Sequence, residues 1–420
     1  MVQRGCERRI WRRFLATRAL HGRPAPRVSP RAPGGNWDRA SDPWVTTAPD
    51  GIVYQSVLAL SESNAGTAIM VSHSSDGGLS WPVPVILKLD FGGAINDKDS
   101  ITADPSDANY VYVVWDRYVG TKVACSQPVW LDRTIDGGST WEAPSIIYDP
   151  GTNSATSCNQ ILALPTGTLV DVFALTVDLT ATSSAYVAAI RSSDKGVTWS
   201  LPTIVSPLPD IGVVDVKNGE SVRDGGCPYS AVDPNSGPIY TAWNDASFSG
   251  NLRDGIAFSK SADGGSFWSA PVELNQVPSV QAFNPAVAVA PNGNVSISYF
   301  DFRKDTKDVT ALWTNYWRIT SSDAGNSWRE TPLTGSFNLL NAPVVQGPAL
   351  FLGDYMGLAP SGGSFIAFFA ITNGRVGTSS LFSTMGDFRG DASWNGHTEM
   401  NLRPKPPRRW KSIFQIGPRR

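Results

Sequence analysis

One eight-residue pattern recurs five times along this 420-residue chain, and it limits the fold more than any other feature. The copies begin at Ser74, Thr134, Ser192, Ser261 and Ser321, and close on Trp81, Trp141, Trp199, Trp268 and Trp328. All read Ser/Thr-x-Asp-x-Gly-x-x-Trp. Their aspartates, Asp76, Asp136, Asp194, Asp263 and Asp323, are 60, 58, 69 and 60 residues apart. That spacing exceeds the period of most helical solenoids and suits four strands with their loops.

A second pattern lies between the copies. In the second unit a short apolar segment, Ser100 to Ala103, ends in the turn Asp104-Pro105. The stretches Tyr110 to Trp115 and Val129 to Arg133 follow, then the box, then Trp141 to Tyr148. The fourth unit repeats this with Tyr229 to Val232, Asp233-Pro234, Pro238 to Trp243, Gly255 to Lys260 and Trp268 to Leu274. Short β-branched and aromatic runs between turn clusters predict antiparallel four-stranded sheets. The units fall at about 41 to 90, 95 to 150, 156 to 208, 224 to 276, 282 to 336 and 348 to 386. Six sheets that each bury two faces pack most simply around an axis, so an all-β, six-bladed β-propeller is expected. The sixth unit has no box and lacks an outer strand, and residues near Asn36 to Ala40 are the candidates to fill that place.

Charge divides the chain the same way. The net charge of -2 is a cancellation. Residues 1 to 40 carry ten Arg and two acids (+8), residues 401 to 420 carry seven basic residues and no acid (+7), and the body between them carries -17. An acidic body repels phosphate backbones, so no nucleic-acid binding is expected through it. No stretch approaches the roughly 18 apolar residues of a membrane span; Phe365 to Ile371 is strand-sized. The expected domains are a basic Arg/Pro-rich head (1–40), a propeller (41–386) and a basic tail (387–420), with head and tail disordered or, for the head, a misassigned start. No signal peptide is visible.

Histidine scarcity removes whole classes of chemistry. His21, His73 and His397 are the only imidazoles, which excludes a Ser-His-Asp triad or a multi-histidine zinc site. Cys6, Cys125, Cys158 and Cys227 show no CxxC spacing. No metal and no cofactor are expected; Asn96-Asp97-Lys98-Asp99 is a weak calcium candidate, because Lys98 interrupts its carboxylates. A Cys125–Cys158 disulfide would staple neighbouring blades, with buried or free thiols as the alternative.

The repeated box resembles the Asp-box, or bacterial neuraminidase repeat, of the sialidase superfamily, and the resemblance covers roughly 41 to 386. The residues also have a purely structural reading. Gly allows positive φ in a tight hairpin, Asp accepts backbone N–H bonds, and Trp buries a large ring. In that family the hairpin joins strands three and four on the face opposite the active site. The opposite rim here would hold Asp42, Asp97, Lys98, Asp99, Asp116, Arg117, Glu220, Arg223, Asp224, Asn244, Asp245, Asp301, Arg303, Asp354 and Tyr355.

Sialidases hold a substrate carboxylate in three arginines and use a Tyr nucleophile, a Glu base and an Asp acid/base. The resemblance assigns Arg117, Arg223 and Arg303 to the clamp, Tyr355, Glu220 and Asp97 to catalysis, and Asp245 and Asp301 to substrate binding. It implies a sialidase-like glycoside hydrolase, an exo-sialidase if the clamp is real, acting on a glycan or glycoconjugate as an extracellular or periplasmic monomer. The chain departs from the family at one point. Where the first blade should carry Arg-Ile-Pro it reads Ser41-Asp42-Pro43-Trp44. Other glycan-cleaving chemistry, and a non-catalytic propeller binding glycan or protein, therefore stay open.

Overall fold

The computed structural model describes residues 37–61, 64–120, 124–179, 183–344 and 349–385. The rest of the basic head and the basic tail, including Cys6, His21 and His397, lie outside them. The chain divides into two compact units, one reaching to Leu208 with Pro234–Ile239 and Lys260–Ala270, the other comprising Pro209–Asp233, Tyr240–Ser259 and the segment from Pro271 onward. Both are β-structure. Among the described residues no helix is long and apolar enough to cross a membrane.

In the first unit, Arg39–Thr47, Val53–Ser61, Gly66–Ser74 and Val85–Phe91 form an antiparallel meander. Ala94–Ala103, Val111–Gly120, Val129–Thr134 and Ser145–Tyr148 form a second, and Ser154–Ala163, Leu169–Val177, Ser184–Ser192 and Thr203–Pro207 a third. Cys125–Gln127 pairs antiparallel with the second and parallel with the third, joining them. The fourth sheet is Tyr229–Val232, Ile239–Asp245, Gly255–Ser261 and Val272–Glu273, and the fifth is Ala282–Val289, Val295–Asp301, Trp313–Ser321 and Arg329–Pro332. A last sheet has three strands, Gly357–Ser361, Ser364–Thr372 and Ser379–Met385.

Burial explains the strand sequences. Ile239–Asp245 and Val295–Asp301 are buried along their whole length, and their inner polar residues Thr241, Ser296 and Ser298 are tolerated there because each is hydrogen-bonded. The fourth strands are edges: Val85–Phe91 and Ser145–Tyr148 alternate or lie open.

Two boundaries differ from the sequence reading. Residues 37–40 do not serve the last sheet. The Asp38 N–H donates to the Leu60 carbonyl (3.0 Å) and Arg39 pairs with Leu60, so this stretch begins the first sheet. The last sheet begins at Gly357, because Leu350–Phe351 instead pairs with Ser221–Arg223 in a small three-stranded sheet with Val213–Val214.

The five repeats form five copies of one turn. Each Ser/Thr hydroxyl donates to the Asp carboxylate and accepts the N–H of the final Gly; in the third copy these bonds, Ser192 Oγ to Asp194 and Gly196 N–H to Ser192 Oγ, are both 2.8 Å. Asp194 also accepts the Thr198 N–H (2.9 Å) and hydroxyl (2.6 Å), and the Trp199 indole donates to the Gly196 carbonyl (3.1 Å). These bonds favour the ionised carboxylate and lower Asp76 and Asp194 to about 2. The turns also dock on neighbouring sheets. Tyr54 Oη donates to the Gly137 carbonyl (2.9 Å), and Gly196 and Gly265 pack on Leu131 and Val170.

Gly325 is the tightest of these contacts. At φ +80°, an added Cβ would sit 2.9 Å from the Phe258 ring. Gly51 has a similar φ, +86°, but open space around it. Gly51→Ala should therefore cost only backbone strain, about 1 kcal/mol, while Gly325→Ala should cost about 2–4 kcal/mol because overpacking adds to strain. Urea denaturation of both variants checks the difference.

A second repeat, not visible in the sequence, lies in the first strands. Registers shift between Ser41/Trp44, Asp97/Ser100, Ser157/Gln160 and Phe283/Ala286. Each bulge holds a left-handed residue: Asp42 (φ 51°), Lys98 (51°), Cys158 (61°) and Asn284 (52°). Bulges re-aim side chains and are common beside active sites.

Candidate functional site

In the first unit the bulge of the second sheet gathers acids. Asp97 lies directly opposite Asp116 across two antiparallel strands. Directly opposed like charges destabilise a sheet, so this pairing needs a reason. Asp116 is fully buried and accepts a hydrogen bond from Gln127 Nε2. Burial, and next the charge of Asp97, push it well above the usual carboxylate range. Asp97 is partly open and accepts the Lys98 N–H (3.0 Å). Asp99, 1% exposed, is also raised, by burial and then by Asp42 and Asp97. The Asn159 amide is 2% exposed, and neither its oxygen nor its nitrogen has a hydrogen-bond partner. The arrangement is two partly open acids, Asp42 and Asp97, backed by buried acids whose ionisation burial opposes.

Each of the three arginines assigned to a clamp is paired with a carboxylate of the chain. Arg117 gives two bonds to Asp90, Nε to Oδ2 (2.7 Å) and Nη2 to Oδ1 (2.6 Å), with its guanidinium 5.0 Å from the Trp130 ring. Arg223 holds Asp354 the same way, with Nε 2.7 Å from Oδ1, and stacks over Phe351. Arg303 bonds Asp301 (2.5 Å) and Glu330 (2.8 Å from Nη2) and lies 3.8 Å above the Trp317 ring. Trp317 and Glu330 belong to the third and fourth strands, so Arg303 is turned along the outer half of its sheet. Bidentate pairing with the chain's own carboxylates uses the fork that a substrate carboxylate would need. The sequence missed Asp90 and Glu330 because both stand in fourth strands, outside the rim loops from which the candidates were drawn.

The other assigned residues separate. Asp301, fully buried, holds Arg303 and accepts the Trp317 indole N–H (2.8 Å). Asp245 accepts the Trp243 indole N–H (3.0 Å) and the Ser247 N–H (2.8 Å), which makes it a turn residue. Glu220 is exposed, in a turn where its carbonyl accepts the Asp215 N–H. Tyr355 is half-buried, edge-on to Tyr229, whose hydroxyl donates to the Asp354 carbonyl. Arg223, Asp354 and Tyr355 are thus brought together; Glu220 is not tied to them by any bond described.

In the second unit Asp210, Asp224 and Asp254 form another acidic group, with Asn244 Nδ2 donating to Asp224 Oδ2 (2.9 Å). Asp210 and Asp254 were not singled out in the sequence. Asp254 had one signal: it immediately precedes a strand at the end opposite its box.

The described cysteines are not free thiols, since Cys125, Cys158 and Cys227 are all disulfide-bonded. The expected Cys125–Cys158 pairing is not compatible with the register. Ser126 lies beside Ser154, which leaves Cys158 roughly 13 Å further along an extended strand, beyond disulfide reach.

No protein-family model matches the sequence, and no curated protein matches it either. Solved structures of similar fold do exist. A protein of unknown function from Dyadobacter fermentans superposes with a TM-score of 0.53 at 15% identity, over 84% of this chain and 95% of that one. An α-L-arabinofuranosidase from Fusarium graminearum, solved with an iminosugar inhibitor, gives 0.50 at 13% identity, over 86% and 95%. An intramolecular trans-sialidase from Ruminococcus gnavus gives 0.47 at 12%, over 82% and 92%. At these identities the first two likenesses show a shared all-β fold.

Proposed function

We propose that this chain is a glycoside hydrolase built on a six-bladed, sialidase-like propeller at 41–386, and that it cleaves neutral glycans. The carrying observation is the opposed pair Asp97 and Asp116, with Asp42 and Asp99 beside it. Glycosidases need two carboxyl groups flanking the scissile bond, and Asp97 and Asp42 are partly open to a substrate with the buried acids Asp116 and Asp99 behind them. Asp97 is assigned as acid/base and Asp42 as the second carboxylate. Asp116 and Asp99 act through them as positioning residues.

Neutral substrates follow from the arginines. Exo-sialidase action needs guanidinium forks for the sialic carboxylate, whereas Arg117, Arg223 and Arg303 each hold a carboxylate of the chain. Disulfide-bonded cysteines support an extracytoplasmic setting. The test is a panel of aryl glycosides, including α-L-arabinofuranosides, neutral pyranosides and a sialoside. Turnover of a neutral member and none of the sialoside is expected. Sialoside turnover alone would return the clamp to these arginines. Binding on a glycan array with no turnover anywhere would favour the binding-propeller reading, which the committed arginines also suit.

A further inference from the structure

The acidic group of the second unit has a feature that hydrogen bonding does not satisfy. Carboxylate oxygens of Asp210, Asp224 and Asp254 all lie within 4.8 Å of one another. Neutral donors reach them: the Gly212 N–H to Asp210 Oδ1 (2.9 Å), the Ile211 N–H to Asp254 Oδ1 (3.3 Å) and the Asn244 amide to Asp224. The independent observation is Asn244 itself. It is 2% exposed, its nitrogen is fixed on Asp224, and its oxygen is buried with no hydrogen-bond partner. Asp254, 0% exposed, likewise has an Oδ2 that receives no hydrogen bond. Two buried oxygens that accept no hydrogen bond, on Asn244 and Asp254, within a group of three carboxylates and the amide bound to one of them, form the donor set a cation requires.

We propose that Asp210, Asp224, Asp254 and the amide oxygen of Asn244 bind a divalent cation of the calcium class. The ligands are all hard oxygens, with no imidazole or thiolate, which selects Ca²⁺, Mg²⁺ or Mn²⁺ over zinc or copper. The three aspartates come from irregular loops and Asn244 from the end of the strand Ile239–Asp245, so no one rigid element fixes the shell, which suits the flexible coordination of Ca²⁺ better than the strict octahedron of Mg²⁺. Asp210 and Asp224 bracket the small sheet strands Val213–Val214 and Ser221–Arg223, and Asp254 opens the strand Gly255–Ser261. The cation therefore pins the segment from Asp210 to Asp224 onto the fourth sheet. The expectation of no metal rested on histidine, cysteine and contiguous acids, and these three aspartates are far apart in sequence.

The site is independent of the glycan reading, and its test needs no substrate. The full chain is stripped with EDTA, then melted with and without 1 mM CaCl2, MgCl2 or MnCl2. Calcium should raise the melting temperature by about 4 °C, as a ligand at about a hundred times its Kd does for a chain of this size. Isothermal titration of CaCl2 should give one site. Asp254→Asn should abolish both the shift and the titration heat. Should that variant fail to fold, Asp210→Asn, removing a charged ligand, should weaken binding at least tenfold. Cation-induced protection of the exposed Val216 region from limited proteolysis would also be seen. Melting temperatures within 1 °C under all conditions would show a shared proton only and overturn the proposal, as would unaltered calcium binding in both variants.

Discussion

Asp97→Asn is expected to lower kcat/KM on the best neutral glycoside by about 10²- to 10⁴-fold, the usual worth of a positioned general acid or base. Stability should not fall with it. Asp97 faces Asp116 across the strand pair, and replacing one of two opposed acids by an amide removes repulsion. A variant that is inactive yet as stable as the parent, or more so, marks a group retained for chemistry. Asp116→Asn separates acting on substrate from acting through Asp97. Asp116 is fully buried and raised well above the usual carboxylate range, so an amide copies the shape and charge of its protonated form. Activity below neutral pH should stay within a few-fold of the parent, while the alkaline limb of the pH profile should move upward, because the ionisation of Asp116 is gone. The assay is kcat/KM from pH 4 to 9 on both variants. Full turnover in Asp97→Asn would end the assignment.

What the sequence could reveal depended on how each feature is encoded. The box turns were readable because one hydrogen-bond pattern demands the same residues each time, Ser/Thr, Asp, Gly and Trp at fixed offsets. Strand positions followed from those anchors; the fourth sheet's third strand, expected at Gly255 to Lys260, runs from Gly255 to Ser261. The first-strand bulges were invisible for the opposite reason. Their left-handed positions are filled by Asp42, Lys98, Cys158 and Asn284, four residue types with no shared signature. The site inherits that opacity. Asp97 could be placed on a rim by its neighbours, but its pairing with Asp116 depends on a register that the bulge shifts. The partners of Arg303 were hidden because a loop arginine reads alike whether it faces a ligand or folds back onto Glu330 of the edge strand.

That last distinction can be measured. Arg303→Leu is expected to destabilise the protein by about 3–5 kcal/mol, the range for removing one partner of a buried ionic group. Arg303 is 10% exposed, Asp301 is fully buried and Glu330 is 13% exposed, so both carboxylates lose their counter-charge in a poorly solvated place. The Trp317 ring loses its cation as well, and the Tyr299 hydroxyl, bonded to both Glu330 and Arg303, loses one of those two partners. Arg303→Lys should recover only part of the loss, since one ammonium cannot fork onto two carboxylates while lying flat on an indole. A substrate clamp makes the contrary prediction: KM rises by orders of magnitude and the denaturation midpoint hardly moves. Urea unfolding beside kcat/KM, corrected for the folded fraction, resolves the two. We expect the midpoint to move and the corrected kcat/KM to stay within about threefold, because the guanidinium is committed to Asp301, Glu330 and Tyr299 of its own sheet while the acids assigned to chemistry belong to the first and second sheets.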